Sequence, residues 1–153
     1  MTFDLPVSVD LPGEDATSRL GAAIAARLGA GEAVCLTGPL GAGKSTLARA
    51  LVRVLTRPDE EVPSPTFTLV QFYAGHSFPI AHFDLYRLER ADEAFEIGLD
   101  EALEEGAAVI EWPERLGGRL PADRLDIDIV IKGEGREARL FAHGAWEGRT
   151  FEF

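Results

Sequence analysis

Gly38-Pro-Leu-Gly-Ala-Gly-Lys-Ser45 fits G-x-x-x-x-G-K-[ST], the phosphate-binding P-loop pattern, and its reading decides the fold. The spacing has a mechanical reason. A glycine-rich turn that opens a helix gathers backbone N–H groups into a cradle for an anion. In this pattern Lys44 reaches the β/γ-phosphates and the Ser45 hydroxyl binds Mg²⁺. Shuffling the chain's own composition, with 16 Gly, 2 Lys and 13 Ser plus Thr in 153 residues, yields the pattern in roughly 0.2% of trials. Arginine is the default cation here, 13 residues against two lysines, yet a lysine stands where the pattern requires one.

The bulk composition sets the class. A chain of 153 residues is read as one domain over 1–153, large enough for a real core. Its 46% apolar and 27% charged residues are ordinary for a globular protein. No apolar run approaches the ~20 residues of a membrane span, and the N-terminus has no basic leader-like segment, so a cytoplasmic location without membrane contact is expected. Cys35 lies in an apolar run and reads as a packing residue. His76, His82 and His143 give no zinc spacing with it. Net charge is −11, which argues against a surface that grips nucleic acid. Any involvement with RNA is therefore expected to be indirect, and an acidic surface suits solubility or a basic protein partner.

Along the chain, Leu5, Val7 and Val9 alternate weakly over 4–10, suggesting a short edge strand. Asp15 reads as the N-cap of a helix over about 16–28, where Leu20, Ile24 and Leu28 recur every four residues, and Gly29 and Gly31 end it. Ala33–Thr37 is a short apolar strand. A second helix over about 44–56 carries Leu47, Leu51, Val54 and Leu55 on one face and stops before Pro58. The P-loop thus lies between a strand and a helix, the context it requires. Residues 57–66, with prolines at 58, 63 and 65, read as an extended loop. Phe67–Tyr73 and Ile80–Leu85 read as an antiparallel hairpin turning near Gly75. Residues 91–104 read as two short helices broken at Gly98, and Ala107–Ile110 as a buried strand. Leu125 to Ile131 and Ala138–Ala142 form a last hairpin around glycines 133 and 135, and the tail from Trp146 is strand-like or irregular. This order predicts a three-layer α/β domain of the P-loop NTPase kind. Its sheet is mixed, with antiparallel hairpins, and the P-loop and Ala107 strands run parallel near its centre.

A P-loop site needs an acid at the end of a neighbouring strand. Glu111 follows Ala-Ala-Val-Ile, the pattern of an apolar strand that delivers an acid to the ligand edge of a sheet. Asp84 ends a less apolar strand, flanked by His82, Tyr86 and Arg87. Either acid alone could be a cap or a surface group; the metal that the P-loop implies requires oxygen ligands, which favours both. Arg87 could meet a transferring phosphoryl group or a surface carboxylate. Thr66 sits where a switch threonine would, although most loop threonines bond their own backbone. Trp112 reads as a core or interface aromatic.

Several segments together, Gly-x-Leu-Gly-Ala-Gly-Lys-Ser45, Ser64-Pro-Thr-Phe-Thr-Leu69, His82-Phe-Asp-Leu-Tyr-Arg-Leu88, Gly98-Leu99 and Glu111-Trp-Pro113, resemble in order and spacing the bacterial TsaE (YjeE) family over about residues 8 to 143. The resemblance implies an ATPase of tRNA threonylcarbamoyladenosine (t⁶A) synthesis that acts with TsaB and TsaD to sustain turnover, tRNA being reached only through that complex. It implies ATP and Mg²⁺ as cofactors. Gly38, Gly41, Ala42, Gly43, Lys44, Ser45 and Thr46 would hold the phosphates, and Ser45 with Glu111 would hold Mg²⁺. Asp84 would be the acid tied to hydrolysis, with Lys44 and a switch-like Thr66 beside it. Glu14 and Thr17, opening the first helix, would approach the adenine. Two positions depart from the family pattern: Pro39 where Asp is common, and Ser45 where Thr is common. Ser45 keeps the hydroxyl, whereas Pro39 removes an acid and an N–H beside the phosphates.

A small-molecule P-loop kinase is the rival reading, but the sequence has no arginine-rich lid segment. A GTP-dependent switch would want Asn-Lys-x-Asp, which the chain lacks.

Overall fold

The computed structural model describes residues 2–153. In chain order the elements are β1 (Thr2–Asp4), β2 (Val7–Leu11), α1 (Glu14–Ala25), β3 (Ala33–Thr37), α2 (Lys44–Leu55), β4 (Val70–Tyr73), β5 (Ile80–Asp84), α3 (Asp92–Glu96), α4 (Leu99–Glu105), β6 (Ala107–Glu111), β7 (Arg124–Lys132), β8 (Gly135–His143) and β9 (Thr150–Glu152). Short 3₁₀ turns occupy Pro113–Leu116 and Gly144–Trp146. Seven strands make one sheet in the order β2-β8-β7-β3-β6-β5-β4. Its centre is parallel: β3 lies between β6 and β7, and β5 follows β6. Hairpins add the antiparallel strands β4 and β8, and β2 closes the far edge. This is an α/β fold of the P-loop NTPase type with a mixed sheet.

Strand periodicity divides the core into two halves. Val34, Leu36, Val109 and Ile127 face the cluster that holds Leu20, Ile24, Leu47 and Leu51 of α1 and α2. Ala33, Cys35, Phe83 and Ile110 face the other way, onto Ala94, Leu99 and Ala102 of α3 and α4. Desolvation there pushes the Cys35 thiol up to about 12. The third layer spans only part of the sheet. The outer face of β7 and β8 carries Asp126, Asp128, Glu137 and Arg139 instead, and Arg124 and Arg139 pair with Asp126 and Glu137. Among the described residues, no helix is long and apolar enough to cross a membrane.

Two sequence expectations are corrected and a third is refined. Asp15 is not the N-cap of α1; Gly13, in extended conformation, holds that place, and Glu14 and Asp15 sit in the first turn, where acids oppose the helix dipole. The strand expected from Phe67 starts at Val70, because Thr66 to Leu69 form a turn closed by Leu69 N–H to Pro65 O at 2.6 Å, with Leu69 at a φ of 68°. The N-terminal run divides between two sheets. β2 is the edge strand of the main one, while β1 pairs with β9 in a two-stranded sheet with Phe3 opposite Phe151. The alternation expected over 4–10 does not distinguish these pairings.

Gly21 decides how closely α1 approaches α2. A Cβ there would lie 2.8 Å from the Leu47 carbonyl oxygen and 3.0 Å from the Ala50 Cβ. Helix propensity alone favours Ala over Gly by about 1 kcal/mol, whereas overpacking costs about 1–3 kcal/mol. The packing effect wins because the obstacle is backbone. Gly21→Ala is expected to lower the melting temperature, by roughly 2–4 °C per kcal/mol lost; a rise measured by thermal denaturation would show that the helices separate freely.

Candidate functional site

β3 ends at Thr37, whose hydroxyl is tied to Asp128 Oδ1 of β7 at 3.1 Å. The chain then turns through residues 38–43 and enters α2 at Lys44. Glycine is needed at two points of that turn for different reasons. Gly38 has a φ of 146°, and a Cβ on it would fall 2.5 Å from the Ile129 carbonyl oxygen. Gly43, the N-cap of α2, is left-handed with a φ of 104°. The first turn of α2 leaves N–H groups with no carbonyl of the helix to meet, and these are the donors of the cradle.

The acids come from neighbouring strands. β5 and β6 are parallel with Asp84 opposite Glu111, so both carboxylates stand at the carboxyl edge next to the P-loop. Glu111 is 2% exposed. Its Oε1 accepts the Ser45 hydroxyl at 3.3 Å and its Oε2 lies 2.7 Å from His82 Nε2. Asp84 is the hub of the loop between α2 and β4. Its Oδ2 accepts the Thr66 hydroxyl at 3.0 Å and the Ser64 hydroxyl at 3.3 Å, while its Oδ1 accepts the Tyr86 N–H at 3.0 Å. Ser64 Oγ and Thr66 Oγ1 lie 2.9 Å apart, so two hydroxyl protons are shared among three contacts.

Lys44 is buried, and its ammonium is held on two sides. Nζ donates to the Gly38 carbonyl at 2.5 Å and sits 3.5 Å from the centre of the Trp112 ring. Burial lowers the Lys44 pKa, against the opposing pull of Glu111, Glu114 and Asp84. Trp112 has a left-handed φ of 60°, and its ring also meets Tyr86 at 4.9 Å.

These groups converge on one cleft of about 490 Å³. Gly41, Ala42, Gly43, Lys44, Ser45 and Thr46 line its P-loop wall, with Thr66, Asp84 and Glu111 beside them. Glu14 and Thr17, in the first turn of α1, line the same cleft, with the Thr17 methyl 3.9 Å from where a Cβ on Gly43 would lie. Gly38, expected among the phosphate contacts, does not line the cleft; its carbonyl accepts the Lys44 ammonium instead. Arg87 is turned away, stacked at 4.3 Å on the ring of Phe67. The sequence reading missed the turn between β7 and β8. Glu134, Gly135 and Arg136 also line the cleft, and Arg136 Nη2 donates to the Gly41 carbonyl at 3.0 Å. No local signal marks an arginine 95 residues away as a P-loop neighbour. Trp112 was visible in the sequence as an aromatic, but its seat over Lys44 was not.

The donor set fits a nucleoside triphosphate with Mg²⁺. Gly38 and Gly43 shape an anion cradle that side chains would obstruct or strain, and the cleft is of nucleotide size. Among the described residues, no cluster of three His, Cys, Asp or Glu side chains is placed to hold a metal. Mg²⁺ does not require one, since it is held by one or two protein oxygens with phosphates and water completing its shell. Ser45 and Glu111 supply such oxygens.

A family model described as "Threonylcarbamoyl adenosine biosynthesis protein TsaE" matches residues 11–140. The chain is 33% identical over 143 residues to a Rickettsia felis protein named "tRNA threonylcarbamoyladenosine biosynthesis protein TsaE", covering 94% of this chain and 84% of that one. It is 39% identical over 112 residues to the Bacillus subtilis protein of the same name, covering 71% of this chain and 66% of that one. Among solved structures, the crystal structure of Bacillus subtilis YdiB superposes with a TM-score of 0.75 at 27% identity, covering 94% of this chain and 88% of that chain.

Because burial disfavours the Lys44 ammonium, the fold carries an electrostatic cost at neutral pH that would lessen only as pH rises toward the lysine's unfolded value of 10.5. Lys44→Met is therefore expected to abolish nucleotide binding while raising the melting temperature of the nucleotide-free protein. A lower melting temperature would show that the Gly38 and Trp112 contacts outweigh desolvation.

Proposed function

Since the chain belongs to the TsaE family, we propose that it is an ATPase of tRNA t⁶A synthesis, binding ATP with Mg²⁺ and acting with TsaB and TsaD to sustain turnover. The observation that carries this reading is the 3.3 Å contact between the Ser45 hydroxyl and Glu111 at the mouth of the P-loop. It joins the hydroxyl that follows the P-loop lysine to a buried acid from the adjacent strand, the pair a phosphate-bound metal calls for.

Each residue then has a task. The N–H groups at the start of α2, with Gly41, Ala42, Gly43 and Thr46 around them, hold the phosphates. Lys44 gives up the Gly38 carbonyl for phosphate oxygens of higher charge. Ser45 and Glu111 hold Mg²⁺, which supplies charge neutralisation across the phosphates when bound. Asp84 is the acid that orients or receives the proton of the attacking water, and Thr66, bonded to it, reports on the same place from a loop that can move. Glu14 and Thr17 face the adenine. Pro39 has no N–H, but its carbonyl accepts the Ala42 N–H at 3.1 Å, so it shapes the turn and leaves the phosphate contacts to later residues. Transfer to tRNA occurs in the partner complex, in the cytoplasm, because a chain of net charge −11 is a poor ligand for a phosphate backbone.

Glu111→Ala is expected to weaken ATP binding roughly 10–100-fold in Mg²⁺ and to leave binding in excess chelator unchanged. Equal losses in both conditions, read by fluorescent-nucleotide titration, would remove Glu111 as a metal ligand. ATP turnover is expected to be slow for the isolated chain and to rise on adding TsaB and TsaD. Asp84→Asn is expected to lower the stimulated rate by about 10²–10⁴-fold with nucleotide affinity retained. Stimulation by a small-molecule acceptor that becomes phosphorylated would favour the kinase reading instead.

A further inference from the structure

His82 is a buried polar side chain to which the phosphate chemistry assigns no task. It lies on β5 between Ile80 and Asp84, on the sheet face that packs under α1 and α2, and is 1% exposed. Its register partner on β6 is Val109, and its ring passes that residue to reach the next side chain on the same face, Glu111. An apolar residue would fill this position at less cost, because an imidazole loses its hydration there. The ring recovers one contact only. Nε2 lies 2.7 Å from Glu111 Oε2, and Nδ1 is buried with no partner among the described residues.

That asymmetry sets the tautomer. A proton on Nδ1 would be a buried donor with nothing to meet, whereas a proton on Nε2 is donated to a carboxylate. The two oxygens of Glu111 consequently have different duties: Oε2 receives the ring N–H, and Oε1 is left toward the Ser45 hydroxyl. We propose that His82 is a positioning residue that fixes the Glu111 carboxylate through Nε2–H, so that Oε1 is presented to the metal place beside Ser45. This rests on the reading of Glu111 as an Mg²⁺ ligand. It adds that the ligand is preorganised by a neighbour that never touches the nucleotide. Outer groups that orient a ligand in this way commonly govern metal affinity.

The inference is tested first on the metal-free protein. Two-bond ¹H–¹⁵N correlation spectra of His82 are expected to show a protonated Nε2 and an unprotonated Nδ1. The reverse tautomer would overturn the proposal. The second readout is the Mg²⁺ concentration that half-saturates the Mg²⁺-dependent gain in fluorescent-ATP binding. His82→Ala is expected to raise it by about 10-fold or more, with affinity in chelator unchanged. His82→Gln, whose side-chain amide Nε2 can donate to the same oxygen, is expected to recover most of that loss. An unchanged half-saturation in a folded His82→Ala, or no difference between the Ala and Gln variants, would mean that the ring only fills space. Should the Ala variant not fold, the tautomer and the Gln variant decide. Glu111→Ala separates the two levels. If it leaves the Mg²⁺ dependence intact, the metal-ligand reading itself fails; if it abolishes the dependence while His82→Ala does not, only the His82 assignment fails.

Discussion

A carboxylate that is 2% exposed has lost its water, and the groups that replace that water set the design of this site. At the end of β6 a hydroxyl and an imidazole meet the two oxygens of Glu111 in its place. The hydroxyl belongs to the second residue of α2, so the acid also sets where that helix begins relative to the sheet. The imidazole belongs to β5, so the acid ties β5 to β6 at the edge where their ladder ends. Gly38, pressed against the Ile129 carbonyl, then brings the P-loop close enough for the hydroxyl to arrive.

The lysine meets the same constraint from the other sign of charge. Lys44 is buried at the P-loop, held by a carbonyl and an aromatic face. Neither partner is charged, so neither competes strongly with a phosphate oxygen for the ammonium. The result is a cation that is ordered before binding and can be released on binding. Order of this kind lowers the entropy lost when a ligand arrives, at some expense to the stability of the empty protein.

Much of this was legible in the chain because it depends on local pattern. The Ala107-Ala-Val-Ile-Glu111 run needs only its apolarity to be read as a central strand bearing an acid, and Gly98, at a φ of 99°, breaks its helix pair as expected. The boundary at Phe67 was not legible, since β-prone residues at 67–69 yield to a turn made by a carbonyl at Pro65. Long-range partners were the other gap. Arg136 bonds the P-loop from the far hairpin, and Trp112 covers Lys44 only because its own backbone is left-handed. Nothing within a few residues of either position encodes those meetings. The split of the N-terminal run between two sheets is of the same kind, because alternation marks a strand without naming its neighbour.

The parallel register of β5 and β6 has a consequence for how loop and metal communicate. Asp84 and Glu111 are register partners at adjacent strand ends, yet their side chains are bonded to different segments. Asp84 holds Ser64 and Thr66 of the loop before β4, while Glu111 holds Ser45 at the start of α2. The β5–β6 ladder therefore stands between two acids that hold different segments of the cleft. In the proposed reaction, a change in what Ser45 and Glu111 hold is felt at Asp84 through the shared phosphate cleft rather than through any deformation of the sheet. There Asp84 would have to give up the loop hydroxyls that meet its Oδ2 to receive a proton from water, since its Oδ1 is engaged by the Tyr86 N–H. In the proposed reaction, loop release and proton acceptance would compete for one carboxylate.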